Sequence, residues 1–146
     1  MNRPLIRHGF VLLLLALLGG LAVQAMAIPR LGLSAHTIGL ISGLLLIALG
    51  AIWPVFRLSR QQQRLHYGCW VYSSYANWAA VLFGGLTGAG WAAPIAAAGR
   101  TGPTAAEWIM SLGLVSVAVT SLLAVSLSLW GLRGADARAL GDEQPD

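Results

Sequence analysis

"HTIGLISGLLLIALGAIW", residues 36–53, decides the fold: it is a continuous run without Asp, Glu, Lys or Arg, with one imidazole at its leading edge. A helix crosses the hydrocarbon of a bilayer in roughly 20 residues at about 1.5 Å each. The run therefore reads as a membrane span, placed at Thr37–Phe56. The chain around it has the same character, with 57% hydrophobic and 10% charged residues, outside the range of soluble domains. Three further apolar stretches, Ile6–Ala27, Tyr67–Gly88 and Trp108–Trp130, are long enough to cross. Trp53, Trp91, Trp108 and Trp130 fall where interfacial aromatic belts belong. The expected fold is all-α, an integral membrane four-helix bundle over residues 1–133. A polar, disordered tail is expected over 134–146, carrying Asp136, Asp142, Glu143 and Asp146.

All nine basic residues are arginines. Arg3, Arg7, Arg57, Arg60, Arg64, Arg133 and Arg138 fall on one side of the spans, and Arg30 and Arg100 on the other. The positive-inside rule places both termini and the middle loop in the cytoplasm, as in a multi-pass protein of a bacterial-type inner (plasma) membrane. The basic balance thus reports topology. With the arginines scattered over helix ends and no basic stripe, no nucleic-acid partner is expected. A competing reading of the first segment is a cleavable signal peptide, with Arg3 and Arg7, an apolar run from Gly9 to Val23 and the small-residue pattern Ala25-Met26-Ala27. The charge rule gives the same orientation either way, and retention as the first span is the expectation adopted.

What the spans lack narrows the function. None contains a carboxylate, Glu107 standing just ahead of the last, and the one cationic side chain within their bounds is Arg7, at the cytoplasmic edge of the first. Proton- and cation-coupled transporters need such groups within the membrane. Without lysine there is no Schiff base for retinal or pyridoxal phosphate. Cys69 is the single cysteine, so no internal disulfide or multi-cysteine metal site can form, and it reads as a small packed side chain.

Two helix faces are smooth. From His36, Gly39, Gly43 and Gly50 share a stripe on the second helix, and Ser73, Asn77, Ala80, Gly84 and Gly88 share one on the third. Such stripes pack helices closely, or admit a flat ligand. Asn77 lies near the middle of its span, where an unpartnered amide costs several kcal/mol. Its partner is either a neighbouring helix or a ligand, with Tyr72 and Tyr75 flanking it toward the cytoplasm. The hydroxyls of Ser111, Ser116, Thr120, Ser121, Ser126 and Ser128 can bond back along their own helix and require no function.

Of three histidines, His66 is expected to be solvated or to face headgroups, and His8 to anchor the first helix at the interface. His36 opens the second helix on the outer side, about a membrane thickness from His8. One metal therefore cannot bind both in one subunit. A lone helix-terminal histidine is usually a cap, but the glycines below His36 would suit a flat macrocycle ligated by it.

The stretches "RHGFVLLLLALLGGL", "IPRLGLSAHTIGLISGLLLIALGAIWP", "LSRQQQRLHYGCWVYSSYANWAAVLFGGLTGAGWAAPIAAAG" and "LWGLRG" resemble the hydroxylaminobenzene mutases, small four-helix membrane proteins. Leu33-Ser34-Ala35-His36 and Tyr75-Ala76-Asn77-Trp78 are the most specific pieces. His8-Gly9, Ala35-His36 and Ala76-Asn77 resemble, more remotely, dipeptides of styrene oxide isomerase. The mutase resemblance implies isomerisation of an aryl hydroxylamine to a 2-aminophenol. The isomerase resemblance implies a homotrimer with haem b between subunits, ferric iron acting as Lewis acid and His36 as axial ligand. The implied cofactor-binding residues are His36, Gly39, Gly43 and Asn77, the metal ligand is His36, and the catalytic candidates are Asn77, Ser42 and Tyr75. Ile38 stands where the mutase pattern has an acidic residue, Ser42 where it has an amide, and Val81 where the epoxide isomerases have a pocket tyrosine. Such an apolar pocket suits a small aromatic substrate that partitions into the lipid bilayer. Two other classes stay open: a haem-binding electron-transfer or sensor subunit with a second axial ligand such as His8 of a neighbouring subunit, and a non-catalytic scaffold or small-molecule carrier.

Overall fold

The computed structural model describes residues 1–133, so the expected tail from Gly134 lies outside the described residues. The described chain is all-helical: α1 (Arg3–Leu21), α2 (Pro29–Ile52), α3 (Arg60–Thr87), a short α4 (Pro94–Ala97) and α5 (Thr104–Gly131). The boundaries follow local chemistry. Asn2 caps α1, its side chain accepting the Leu5 N–H at 3.2 Å. Ser59 and Gln62 form a reciprocal capping box that starts α3 seven residues ahead of the expected Tyr67 (67 − 60), in the middle of its polar segment. Gly88, with φ at 81°, ends α3 in a left-handed turn that suits glycine.

Pro29 opens α2 at its first turn, where the missing N–H and fixed φ cost nothing. This corrects the placement of His36. It does not open the helix but lies seven residues inside it (36 − 29), about two turns.

Arg3–Leu21, Pro29–Val55 and Thr104–Gly131 are long and apolar enough to cross a membrane. The protein is thus a membrane protein with three such helices among the described residues. α3 has the length, at 28 residues, but Arg60, Arg64, its run of glutamines and Asn77 dilute its apolar character. It runs antiparallel between two of the three. Its Gly85 end meets α2 through the Ile28 N–H, which donates to the Gly85 carbonyl at 3.0 Å. Its other end meets the close of α5 through His66 and Ser128, 2.8 Å apart. α1 lies antiparallel on α2, with the Asn2 N–H donating to the Gly50 carbonyl at 2.7 Å. The helices form a row, α1 on α2, α2 on α3 and α3 on α5, with lighter contact between α1 and α3.

The core has two halves. Leu5, Leu12, Leu46, Phe56 and Trp70 fill the end that carries the N-terminus. Ile28, Leu31, Ala35, Val81 and Met110 fill the other. Leu14, Leu18, Leu44, Leu112 and Leu122 instead stand exposed, as side chains do when lipid is the solvent. Cys69 is buried and free, as expected of a packed thiol.

Candidate functional site

His36 is half-buried and turned toward α1. Its Nδ1 lies 2.8 Å from the Ala16 carbonyl oxygen. A carbonyl can only accept, so Nδ1 carries the proton and the lone pair resides on Nε2. Gly20 makes room for the ring: a Cβ there would stand 2.6 Å from Nδ1. The chain therefore fixes one tautomer and orientation of an imidazole whose Nε2 is unengaged among the described residues. An N–H to carbonyl bond of this kind is the usual support behind a metal-binding histidine.

The glycines below His36 have another use. A Cβ on Gly43 would lie 2.8 Å from the Gly9 carbonyl oxygen, and one on Gly39 would lie 2.5 Å from the Ala16 Cβ and 2.8 Å from the Trp78 ring. Gly50 faces Ile6 and the Asn2 carbonyl in the same way. The stripe is the seam along which α1 approaches α2, and protein covers the face expected to lie against a macrocycle.

Asn77 sits on α3 between Trp78, which packs on Gly39 of α2, and Ala80, which packs near Gly113 of α5. α2 and α5 both pack on α3 but not extensively on each other. The Asn77 position thus belongs to the gap between them. The amide is half-buried and has no hydrogen-bond partner among the described residues. Ser42 is also half-buried and equally unpartnered among them. Ile38 packs against the second core half and Val81 is buried within it, so both substitutions present hydrocarbon.

Tyr75 lies elsewhere. Two residues along a helix are about 200° apart, and its hydroxyl donates to the His8 backbone carbonyl at 3.1 Å while standing 3.4 Å from His8 Nδ1. Tyr72 reaches Ser116 on α5, at 2.8 Å. Neither tyrosine joins Asn77 in a network. His8 and His36 are closer than expected. His36 is held at Ala16, eight residues from His8 (16 − 8), which is about 12 Å along α1. That still exceeds the span of one metal centre.

His66 corrects an expectation outright. It is fully buried, stacked 5.1 Å from the Trp53 ring with an interplanar angle of 22°. Its Nε2 accepts from Trp70 Nε1 at 2.9 Å and lies 2.8 Å from Ser128 Oγ. Its Nδ1 is buried without a partner. The signal was present in sequence: His66 and Trp70, four apart, share one helix face. Glu107 is the other group missed. It is fully buried and its two oxygens accept the N–H groups of Gly90, Trp91 and Gly102 at 2.8–3.0 Å. Those bonds tie the segment between α3 and α5 to the first turn of α5. The α5 hydroxyls bond back as expected, Ser116 to Gly113, Thr120 to Ser116 and Ser128 to Ala124.

With a tautomer-fixed histidine and an unpartnered amide on an all-helical membrane scaffold, comparison with known proteins becomes decisive. A profile of the styrene oxide isomerase family matches residues 1–133. The chain belongs to this family. It is 44% identical over 137 residues to hydroxylaminobenzene mutase HabB of Ectopseudomonas oleovorans, covering 93% of this chain and 84% of that one. It is 35% identical over 133 residues to hydroxylaminobenzene mutase HabA of the same organism, covering 90% and 98%. No solved structure matches it. A member of the styrene oxide isomerase family so similar to two mutases is an isomerase, an enzyme that moves atoms within one substrate. Among the described residues no three His, Cys, Asp or Glu side chains converge on a metal position.

Proposed function

We propose that the chain is an integral membrane isomerase of the hydroxylaminobenzene mutase type, with four crossing helices and both termini cytoplasmic in a bacterial-type inner membrane. α3 is the fourth crossing, because it runs the length of α2 and α5 while packed between them. The substrate is a small aryl hydroxylamine, rearranged to the 2-aminophenol, or a related aryl epoxide. The reading rests on the relatives' names and on one observation: the Nδ1 contact with the Ala16 carbonyl leaves Nε2 of His36 as a preset ligand. That nitrogen would hold the iron of haem b, whereas Gly39 and Gly43 are spent on α1 and would not line the group.

His36 would hold ferric haem there, and the Lewis acidity such a group would supply suits activation of the N–O bond. The residues of the chain supply position. The reaction breaks the N–O bond, forms a C–O bond at the ortho carbon and moves one proton from that carbon to nitrogen, with no net oxidation. Asn77 can donate from its amide N–H to the hydroxylamine oxygen and accept the N–H at its carbonyl, which fixes which ring edge meets the oxygen. Ser42 can hold the hydroxyl, and Ile38 and Val81 exclude water from the ring. His36 faces α1 while Asn77 faces the gap between α2 and α5, so the site is completed between subunits, as a homotrimer would allow. His8 lies about 12 Å along α1 from the Ala16 carbonyl that holds His36, so the electron-transfer reading would need His8 of a neighbouring subunit as its second ligand.

The test is direct turnover. Purified haem-loaded protein, given phenylhydroxylamine, is expected to yield 2-aminophenol by chromatography. The Asn77→Ala variant is expected to lose at least about tenfold in kcat/KM while its haem spectrum stays unchanged. Absence of product from both phenylhydroxylamine and styrene oxide would overturn the activity.

A further inference from the structure

We propose that the seam between α1 and α3 is a binding site for an anionic phospholipid, with the phosphate on Arg60 and Arg64 and one acyl chain in the apolar groove below.

Arg60, Gln63, Arg64 and Tyr67 recur at steps of three and four on one face of α3. With Asn2, Pro4 and Trp53 they enclose a depression of about 590 Å³. Among the described residues no acidic side chain lines it. Both guanidinium groups are exposed and, among the described residues, neither has an ion pair or hydrogen bond. Two uncompensated cations one turn apart call for a phosphate oxyanion, which guanidinium forks hold bidentately.

The depression continues along the seam. Pro4 also lines a second hollow with Arg7, His8 and Val11. His8 and Val11 then line a third, of about 600 Å³, whose other walls include Val71, Tyr75, Ala76 and Ala79. The arginines, Arg60 and Arg64 in the first hollow and Arg7 in the second, stand at one end, and the third hollow is mainly apolar, walled by Val11, Val71, Ala76 and Ala79. That order matches an amphiphile with a phosphate at one end, an ester region and a chain. Tyr67 to Ala79 is twelve residues (79 − 67), about 18 Å of helix, close to the roughly 15 Å depth of one leaflet's hydrocarbon. Neither His36 nor Asn77 lines any of the three hollows, so the lipid site is separate from the isomerase site.

The experiment uses the full chain in non-ionic detergent, with phosphatidylglycerol, phosphatidylcholine or inorganic phosphate as the added probe. Retained lipid is counted by native mass spectrometry, and the unfolding midpoint is followed in parallel. Phosphatidylglycerol is expected to stay bound and raise the midpoint, and the other two are not. The Arg60→Gln/Arg64→Gln double variant is expected to melt with the parent when lipid-free and to bind phosphatidylglycerol at least tenfold more weakly. Ala79→Trp, which fills the groove with the charges intact, is expected to lose the adduct too. Equal retention by the double variant, or of phosphatidylcholine by the parent, overturns the site. Stabilisation by inorganic phosphate equal to that by phosphatidylglycerol assigns the arginines to free phosphate and overturns the lipid.

Discussion

Glu107 shows at the residue scale how a carboxylate becomes structural without a cation. Three backbone N–H groups supply the positive ends of their dipoles, and the buried carboxylate accepts them all. Glutamine keeps the size but has one accepting oxygen, and its NH₂ would oppose a donor. Glu107→Gln is therefore expected to lower the unfolding midpoint in detergent by several degrees, whereas an unchanged midpoint would remove Glu107 from the account of this segment. His66 and His36 invite a comparison at the same scale. Both are held by hydrogen bonds, but His66 is sealed among Trp53, Phe56 and Trp70, while His36 keeps a half-exposed ring. Of the two, His36 is the one open to chemistry.

At the scale of elements, the seam between α1 and α2 depends on backbone proximity. Gly9 and Gly43 oppose each other's carbonyls, at 2.6 and 2.8 Å from where a Cβ would stand. Gly43→Leu must push α1 outward and is expected to cost at least about 2 kcal/mol. Gly19, with nothing within 4 Å of a Cβ, should tolerate alanine with no loss. Thermal unfolding of the two variants side by side checks the contrast, and equal stability would contradict it.

The same elements show what was legible beforehand. Apolar run length placed four long helices, because the cost of unsatisfied backbone in lipid makes helix the open choice for such runs. The ends were less legible. Pro29 is a breaker within a helix and a starter at its first turn, and taking it only as a boundary put His36 at a helix mouth instead of two turns inside. The arginines around His66, Arg57, Arg60 and Arg64, point to a wet setting, but one face of a helix can be sealed while the next is wet. Asn77 and Ser42 were legible as candidates, but that Tyr75 turns away to His8 depends on where α1 lies, which residue spacing on α3 does not encode.

At the scale of the molecule, Arg3, Arg7, Arg57, Arg60, Arg64 and Arg133 gather where the N-terminus, the α2–α3 connection and the close of α5 lie. Arg100 at the opposite end is tied to the Ala27 carbonyl, at 2.6 Å. The proposed orientation is checked with single cysteines in a Cys69→Ala background. Thr101→Cys is expected to react with a membrane-impermeant thiol reagent in intact cells, and Gln61→Cys only after permeabilisation; the reverse pattern would invert the topology. The row of helices also turns His36 toward α1 and sets Asn77 at the gap between α2 and α5, so the proposed homotrimer would couple activity to assembly. The measurement that tests its central claim most directly is the absorption spectrum of protein purified after growth with ample haem, taken beside that of His36→Ala. The account predicts a Soret band in the parent that is lost in the variant. A band of equal strength in both, or none in either, would contradict His36 as the ligand at the centre of this isomerase.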